Sequence, residues 1–184
     1  MSILVPLYEG FEEIEFVSIV DILRRGGLEV IIAGESSSVV GAHNIEIKTD
    51  RLISEIDAKS LSAIILAGGY NGMLNLCNSK EILAIIKELD SVNKLVAAIC
   101  ASPIVLGKAG VLKNRFCCYP GCEDSTNSSI KCVDEVVCVD NNIITSIGPA
   151  SAIPFALECL KFIGGEKIAQ KVYDEILLER VRKG

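Results

Sequence analysis

Leu95-Val-Ala-Ala-Ile-Cys100 is an apolar run that ends on a cysteine, and Ala101-Ser102-Pro103 follows directly. Serine then proline is the pair expected at a helix start, a hydroxyl to cap the first turn and a proline where no N–H is needed. Cys100 is thereby placed at a strand-to-helix turn, facing backbone N–H groups without helical partners. Those groups and the helix dipole favour an anion, so they should stabilise a thiolate. This is a nucleophile elbow with sulfur in place of oxygen. Its chemistry would be attack on an electrophilic carbon or capture of an oxidant.

A second group gains meaning beside it. At ~100° per residue, Glu15 falls with Phe11, Ile19 and Ile22 on the apolar side of a helix expected over 12–25, while Glu13, Asp21, Arg24 and Arg25 fall on the solvent side. A carboxylate on an apolar face is expensive unless it is partnered or keeps its proton. A protonated Glu15 could donate to a thiolate and help hold it ionised. Gly68 and Gly69 follow another strand-like run and let backbone come close to a ligand, where their N–H groups could bind an oxyanion. His43 is the sole histidine, lies in a predicted hairpin, and reads as a surface residue. A Cys–His dyad is disfavoured accordingly. Cys117, Cys118, Cys122 and Cys132 lack a paired C-x-x-C and a nearby histidine, so they read as buried thiols and no metal is expected. Cys117 or Cys118 could resolve an oxidised Cys100 if either approached it. The glycines form neither a P-loop nor a dinucleotide fingerprint, so no cofactor is implied.

The elements that position these residues alternate. Strands are expected at 2–7, 28–34, 62–67 and 95–99, with helices at 12–25, 80–91 and from 103 to about 109. The opening strand–helix–strand implies parallel pairing with a right-handed crossover. The stretch 35–50 suggests a small hairpin added to the main sheet. Residues 68–72 read as a glycine-rich turn, and 116–119 as a short strand. Further strands at 133–139 and 142–146 are joined by a turn at Asp140-Asn141. Helices over 151–163 and 166–178 close the chain. In such sheets ligands collect beyond the carboxyl ends of the strands. The turns before Glu15, at Gly68–Gly72 and at Cys100 converge there if their strands are neighbours.

Composition sets the outer bounds. The 184 residues fit one domain, 1–184, with half of them apolar, as buried strands covered by helices require. The net charge of −6 argues against nucleic acid and against an anionic membrane surface. The N-terminus lacks the basic and apolar regions of a signal peptide, and no apolar run approaches the ~20 residues that span a bilayer. Eight cysteines without need of staples suit reduced thiols in the cytoplasm.

Taken together, Glu12-Glu13-Ile14-Glu15, Ala67-Gly68-Gly69, Ala97-Ala98-Ile99-Cys100-Ala101-Ser102-Pro103, Cys118-Tyr119-Pro120 and Ser146-Ile147-Gly148-Pro149 resemble the ThiJ/PfpI superfamily, in its YajL/DJ-1 branch. The motifs run in family order over essentially the whole chain. The resemblance implies a flavodoxin-like α/β sandwich, with a mostly parallel sheet, that forms a homodimer. It implies Cys100 as the oxidation-prone nucleophile, Glu15 as its protonated partner, and Gly69 and Ala101 as donors of backbone N–H groups. Gly68, Tyr119 and Pro149 are expected around the pocket. Tyr119 stands where some members carry histidine, and Ala101 where the peptidase branch does, so peptidase activity is disfavoured. Two functions follow from the resemblance. One is cofactor-independent glyoxalase or deglycase chemistry on methylglyoxal-type dicarbonyls or glycated adducts. The other is non-enzymatic redox sensing, or redox-regulated chaperone activity, through oxidation of Cys100.

Overall fold

The computed structural model describes residues 2–126 and 129–182. Its chain order is β1 (Ser2–Leu7), α1 (Glu13–Arg25), β2 (Val30–Gly34), β3 (Ser38–Val40), β4 (Glu46–Lys48), β5 (Arg51–Leu52), β6 (Leu61–Leu66), α2 (Tyr70–Asn78) and α3 (Lys80–Ser91). There follow β7 (Leu95–Ile99), α4 (Pro103–Ala109), β8 (Arg115–Phe116), β9 (Lys131–Cys132), β10 (Val137–Asp140), β11 (Ile143–Ser146), α5 (Ala152–Gly164), α6 (Glu166–Glu175) and α7 (Leu178–Arg182).

Seven strands form the main sheet in the order β10-β11-β7-β6-β1-β2-β5. Every pairing is parallel except β10 with β11. The central strands are largely apolar: β2 and β7 are buried at every position, as strands covered on both faces must be. Helices α1, α5 and α6 pack together, with α5 also against β7 and β11. Helices α2, α3 and α4 form a second group, with α3 against β6 and β7. The core order β2-β1-β6-β7-β11 is that of a flavodoxin-like sheet, and the chain reverses direction across it between β1 and β6. That reversal opens a crevice at the carboxyl ends of β1, β6 and β7. The three turns singled out by sequence therefore emerge side by side.

Several expectations shift. The hairpin of β3 and β4 is its own antiparallel pair and not part of the main sheet, whose edge is taken instead by β5. The glycine-rich turn is only the cap of a helix: α2 begins at Tyr70 behind Gly69, whose φ of +90° no side chain adopts cheaply. Glu13 is not on the solvent side. It is buried, because the hairpin folds over α1 and His43 bonds it through both its backbone N–H (2.5 Å) and its ring Nδ1 (2.8 Å). The strand expected at 133–139 starts only at Val137. The tight turn behind it is Asn141-Asn142, since Asp140 pairs with Ile143. The last helix breaks at Leu177, whose φ is +59°, giving α6 and α7.

Candidate active site

Cys100 follows β7 with a left-handed φ of +65°. A non-glycine residue there is strained by about 1 kcal/mol or more and persists only where its surroundings fix it. They do so twice. The Cys100 N–H donates to the Ser146 carbonyl at the end of β11 (2.9 Å), and its carbonyl accepts from the Tyr119 N–H (2.8 Å). The elbow is thus held from the neighbouring strand and from the loop after β8.

Ser102 is not the cap that its position before Pro103 suggests. Its backbone is already helical and its hydroxyl caps nothing. The fully buried side chain donates instead to the Ala67 carbonyl at 2.6 Å. This bond ties the turn after β7 to the turn after β6 and sets how far apart Cys100 and Gly68 can sit.

Glu15 is brought to the same point. Glu12 caps α1 by accepting from the Glu15 N–H (2.8 Å), and its own N–H donates to the Gly68 carbonyl (3.0 Å). Glu15 is wholly buried, and its Oε2 accepts from the Gly68 N–H at 2.7 Å. A methyl group at Gly68 would lie 2.6 Å from Cys100 Cβ, 2.7 Å from Glu15 Oε2 and 3.1 Å from Cys100 Sγ. Only glycine leaves room for the cysteine and the carboxyl to meet across one backbone position. Gly69 is packed as closely against the Gly10 carbonyl and the Glu12 N–H. Gly10, with φ +80°, belongs to this packing and was not foreseen. A glycine just past a buried strand was the available signal.

The electrostatics qualify the sequence expectation. Burial pushes the Cys100 thiol up to about 12; the Glu15 charge adds to this, and the Gly69 and Ala101 amides pull against it. The helix start alone therefore does not yield an acidic thiol. Burial also raises Glu15, to about 7, against the bond from Gly68. Its other oxygen, Oε1, is buried and has no hydrogen-bond partner among the described residues. An orphaned carboxyl oxygen in a dry site is where a proton is held most cheaply.

Tyr119 is half-exposed and lies against Gly148, whose added methyl would be 3.3 Å from the ring. With Pro120, Val136, Ile147 and Pro149 it lines a cleft of about 420 Å³. Tyr119 joins the two regions, its ring bordering the cleft and its N–H holding the elbow carbonyl. His43 is directed to Glu13, with its side chain 73% exposed. Cys117 is turned to the Thr145 hydroxyl (3.6 Å) and Cys118 to Cys132 (4.0 Å), and neither is brought to Cys100 as a resolving thiol.

A mostly parallel α/β sandwich with a cysteine elbow next to its switch point and a buried glutamate beside it defines a class of proteins. The DJ-1/PfpI family profile matches residues 1–162, and the chain belongs to that family. It is 37% identical to DJ-1 homolog B of Arabidopsis thaliana over 90% of this chain, spanning 39% of that protein's length. It is 32% identical to the glutathione-independent glyoxalase DJR-1.2 of Caenorhabditis elegans, over 94% of this chain and 93% of that one. A deglycase of Pyrococcus horikoshii is 31% identical over 89% of this chain and 99% of its own. The crystal structure of Drosophila melanogaster DJ-1beta superposes with a TM-score of 0.91 at 32% identity, covering 96% of this chain and 97% of that one.

Proposed function

We propose that this protein removes reactive dicarbonyls of the methylglyoxal type, or the adducts they form on amines, with Cys100 as nucleophile and Glu15 as its proton carrier. The observation that carries the reading is the meeting of Cys100 and Glu15 across Gly68, with Glu15 Oε1 buried and unpartnered. Two of the relatives described above are named as a glyoxalase and a deglycase, which supports the same chemistry.

The steps follow from the two groups. Glu15, poised to titrate near neutral pH, takes the thiol proton. Its charge is thereby lost, and with it the repulsion that opposes the thiolate. Sulfur attacks the aldehyde carbon, the oxygen takes a proton from Glu15, and a hemithioacetal results. Glu15 then moves a proton from that carbon to its neighbour through an enediol, which gives a thioester. Water cleaves the thioester to release lactate and restore the thiol. The sum is dicarbonyl plus water to hydroxy acid, and no cofactor is consumed. Oxygen charge developing near the sulfur would meet the Gly69 and Ala101 N–H groups.

Those same two amides favour a second reading, because they act directly on the sulfur. A peroxide could convert the thiolate to sulfenate and then sulfinate, releasing one water at each step, and the N–H groups would bind the new oxygens. In this reading the protein senses or buffers oxidants, with or without chaperone activity. We further assign the protein to the reducing cytoplasm, which suits its eight free thiols, and read it as a homodimer. Ile14 and Val17 on α1 and Val40 and Ile45 on the hairpin are exposed apolar groups that a second copy could cover.

The deciding assay follows lactate from methylglyoxal with purified protein in amine-free buffer. Loss of turnover in Cys100→Ser is expected. Equal rates for the parent and that variant would overturn the enzymatic reading and leave the sensor. Mass mapping after mild peroxide, with any cysteine but Cys100 oxidised first, would remove the sensor as well.

A further inference from the structure

By sequence, Cys118, Cys122 and Cys132 read as isolated buried thiols. The fold brings two of them, Cys118 and Cys132, together. Parallel pairing of β8 with β9 sets Cys132 opposite Phe116, and the chain then brings Cys118 Sγ to 4.0 Å from Cys132 Sγ. A Glu123 carboxylate oxygen joins them, so that all three ligand atoms lie within 4.8 Å of one another. Cys118 is buried, while Cys132 and Glu123 are half-buried. The group opens on a cleft of about 390 Å³ whose wall also carries Asp134.

We propose that Cys118, Cys132 and Glu123 form a binding site for one thiophilic divalent cation of the zinc class. The spacing suits it. With Zn–S bonds of about 2.3 Å, tetrahedral geometry places two sulfurs about 3.8 Å apart. Two thiolates and a carboxylate are a known donor mixture for zinc and a poor one for magnesium or calcium, which prefer oxygen alone. The carboxylate is already oriented from behind, since Glu123 Oε2 accepts from the Gly121 N–H at 2.8 Å. Ligating carboxylates are typically held in this way by outer hydrogen bonds. Water from the cleft completes four-coordination.

The ion would displace the thiol protons, so affinity falls as pH falls. It would also clamp the segment that carries Tyr119 to β9, and Tyr119 holds the Cys100 carbonyl. The site does not rest on the proposed carbonyl chemistry, because none of its ligands is assigned a part in that reaction.

The test uses reduced, chelator-treated full-length protein titrated with Zn²⁺ against a chromophoric chelator. One ion per chain is expected, with a thermal midpoint that rises on loading. Co²⁺ should give thiolate-to-metal charge-transfer absorption. Cys132→Ser should weaken Zn²⁺ binding at least 100-fold and Glu123→Gln about 10-fold, in line with the loss of a ligand. Cys100→Ser should leave it unchanged, which separates this site from the elbow. Binding lost in Cys100→Ser but kept in Cys132→Ser would overturn the proposal. So would a Co²⁺ spectrum without the thiolate band, or recovery of a Cys118–Cys132 disulfide with no metal bound under the same reducing conditions. If Cys132→Ser fails to fold, Glu123→Gln and the Co²⁺ spectrum of the parent still decide.

Discussion

At the scale of single residues the site is one backbone atom wide. Gly68 separates Cys100 from Glu15, so Gly68→Ala should force them apart. We expect a loss of about 1–3 kcal/mol in denaturant unfolding, as for other overpacked positions, and a changed rate of Cys100 alkylation. Unaltered stability would mean that the crevice has slack. Glu15 makes stability depend on pH in an unusual direction. Its folded pKa of about 7 lies above the ordinary 4.5, so the native state holds a proton that the unfolded chain releases. Its contribution to stability is then fullest below about pH 4.5 and falls by about 3 kcal/mol as pH rises to about 7. Glu15→Gln should flatten that slope in pH-dependent unfolding. The same change should lower lactate formation about 10²–10⁴-fold, since an amide cannot carry the proton. An unchanged thiol titration in this variant would exclude Glu15 as the partner of Cys100.

Among the elements, the hairpin of β3 and β4 is fastened to α1 by His43 and Glu13. Burial pushes Glu13 up, but its bonds from His43 outweigh this and hold it below its ordinary value. The bond to Glu13 raises His43. The lowered acid contributes above its unfolded pKa of about 4.5, and the raised base contributes below its unfolded pKa of about 6.5. The protection of hairpin amides, relative to their intrinsic exchange rates, should therefore peak between those values, and His43→Ala should abolish that maximum. This tether also marks where sequence stopped being a guide. The helical wheel put Glu15 on the buried face correctly because Phe11, Ile19 and Ile22 surround it on its own helix. It put Glu13 in solvent because what covers Glu13 arrives from another element. Ser102 failed likewise: a hydroxyl before proline reads as a cap, yet the Ala67 carbonyl that claims it lies 35 residues away. The placement of Cys100 and Glu15 and the strands β1, β2, β6, β7 and β11 were legible because each depends on local pattern. The pairing of Cys118 with Cys132 was not, because it depends on a strand register that no spacing encodes.

For the whole molecule, the exposed apolar residues of α1 and the hairpin lie at the two ends of the His43–Glu13 tether. If they form the homodimer face, Val17→Asp should give monomers in sedimentation velocity, with dissociation at least 100-fold easier than in the parent. A monomeric parent at micromolar concentration would dismiss the dimer. In either state the order of β7, β6 and β1 is what lets three loops distant in sequence share one crevice.

The left-handed backbone at Cys100 has a consequence for selection. Glycine is the residue this conformation prefers, so a lineage chosen only for folding would be free to drift there. Laboratory evolution for heat resistance alone should recover Cys100→Gly as a tolerated change, with a thermal midpoint no lower than the parent's and no thiol at the elbow. Keeping sulfur at that position is a choice that folding does not make, and a screen that rewards activity should purge the glycine at once.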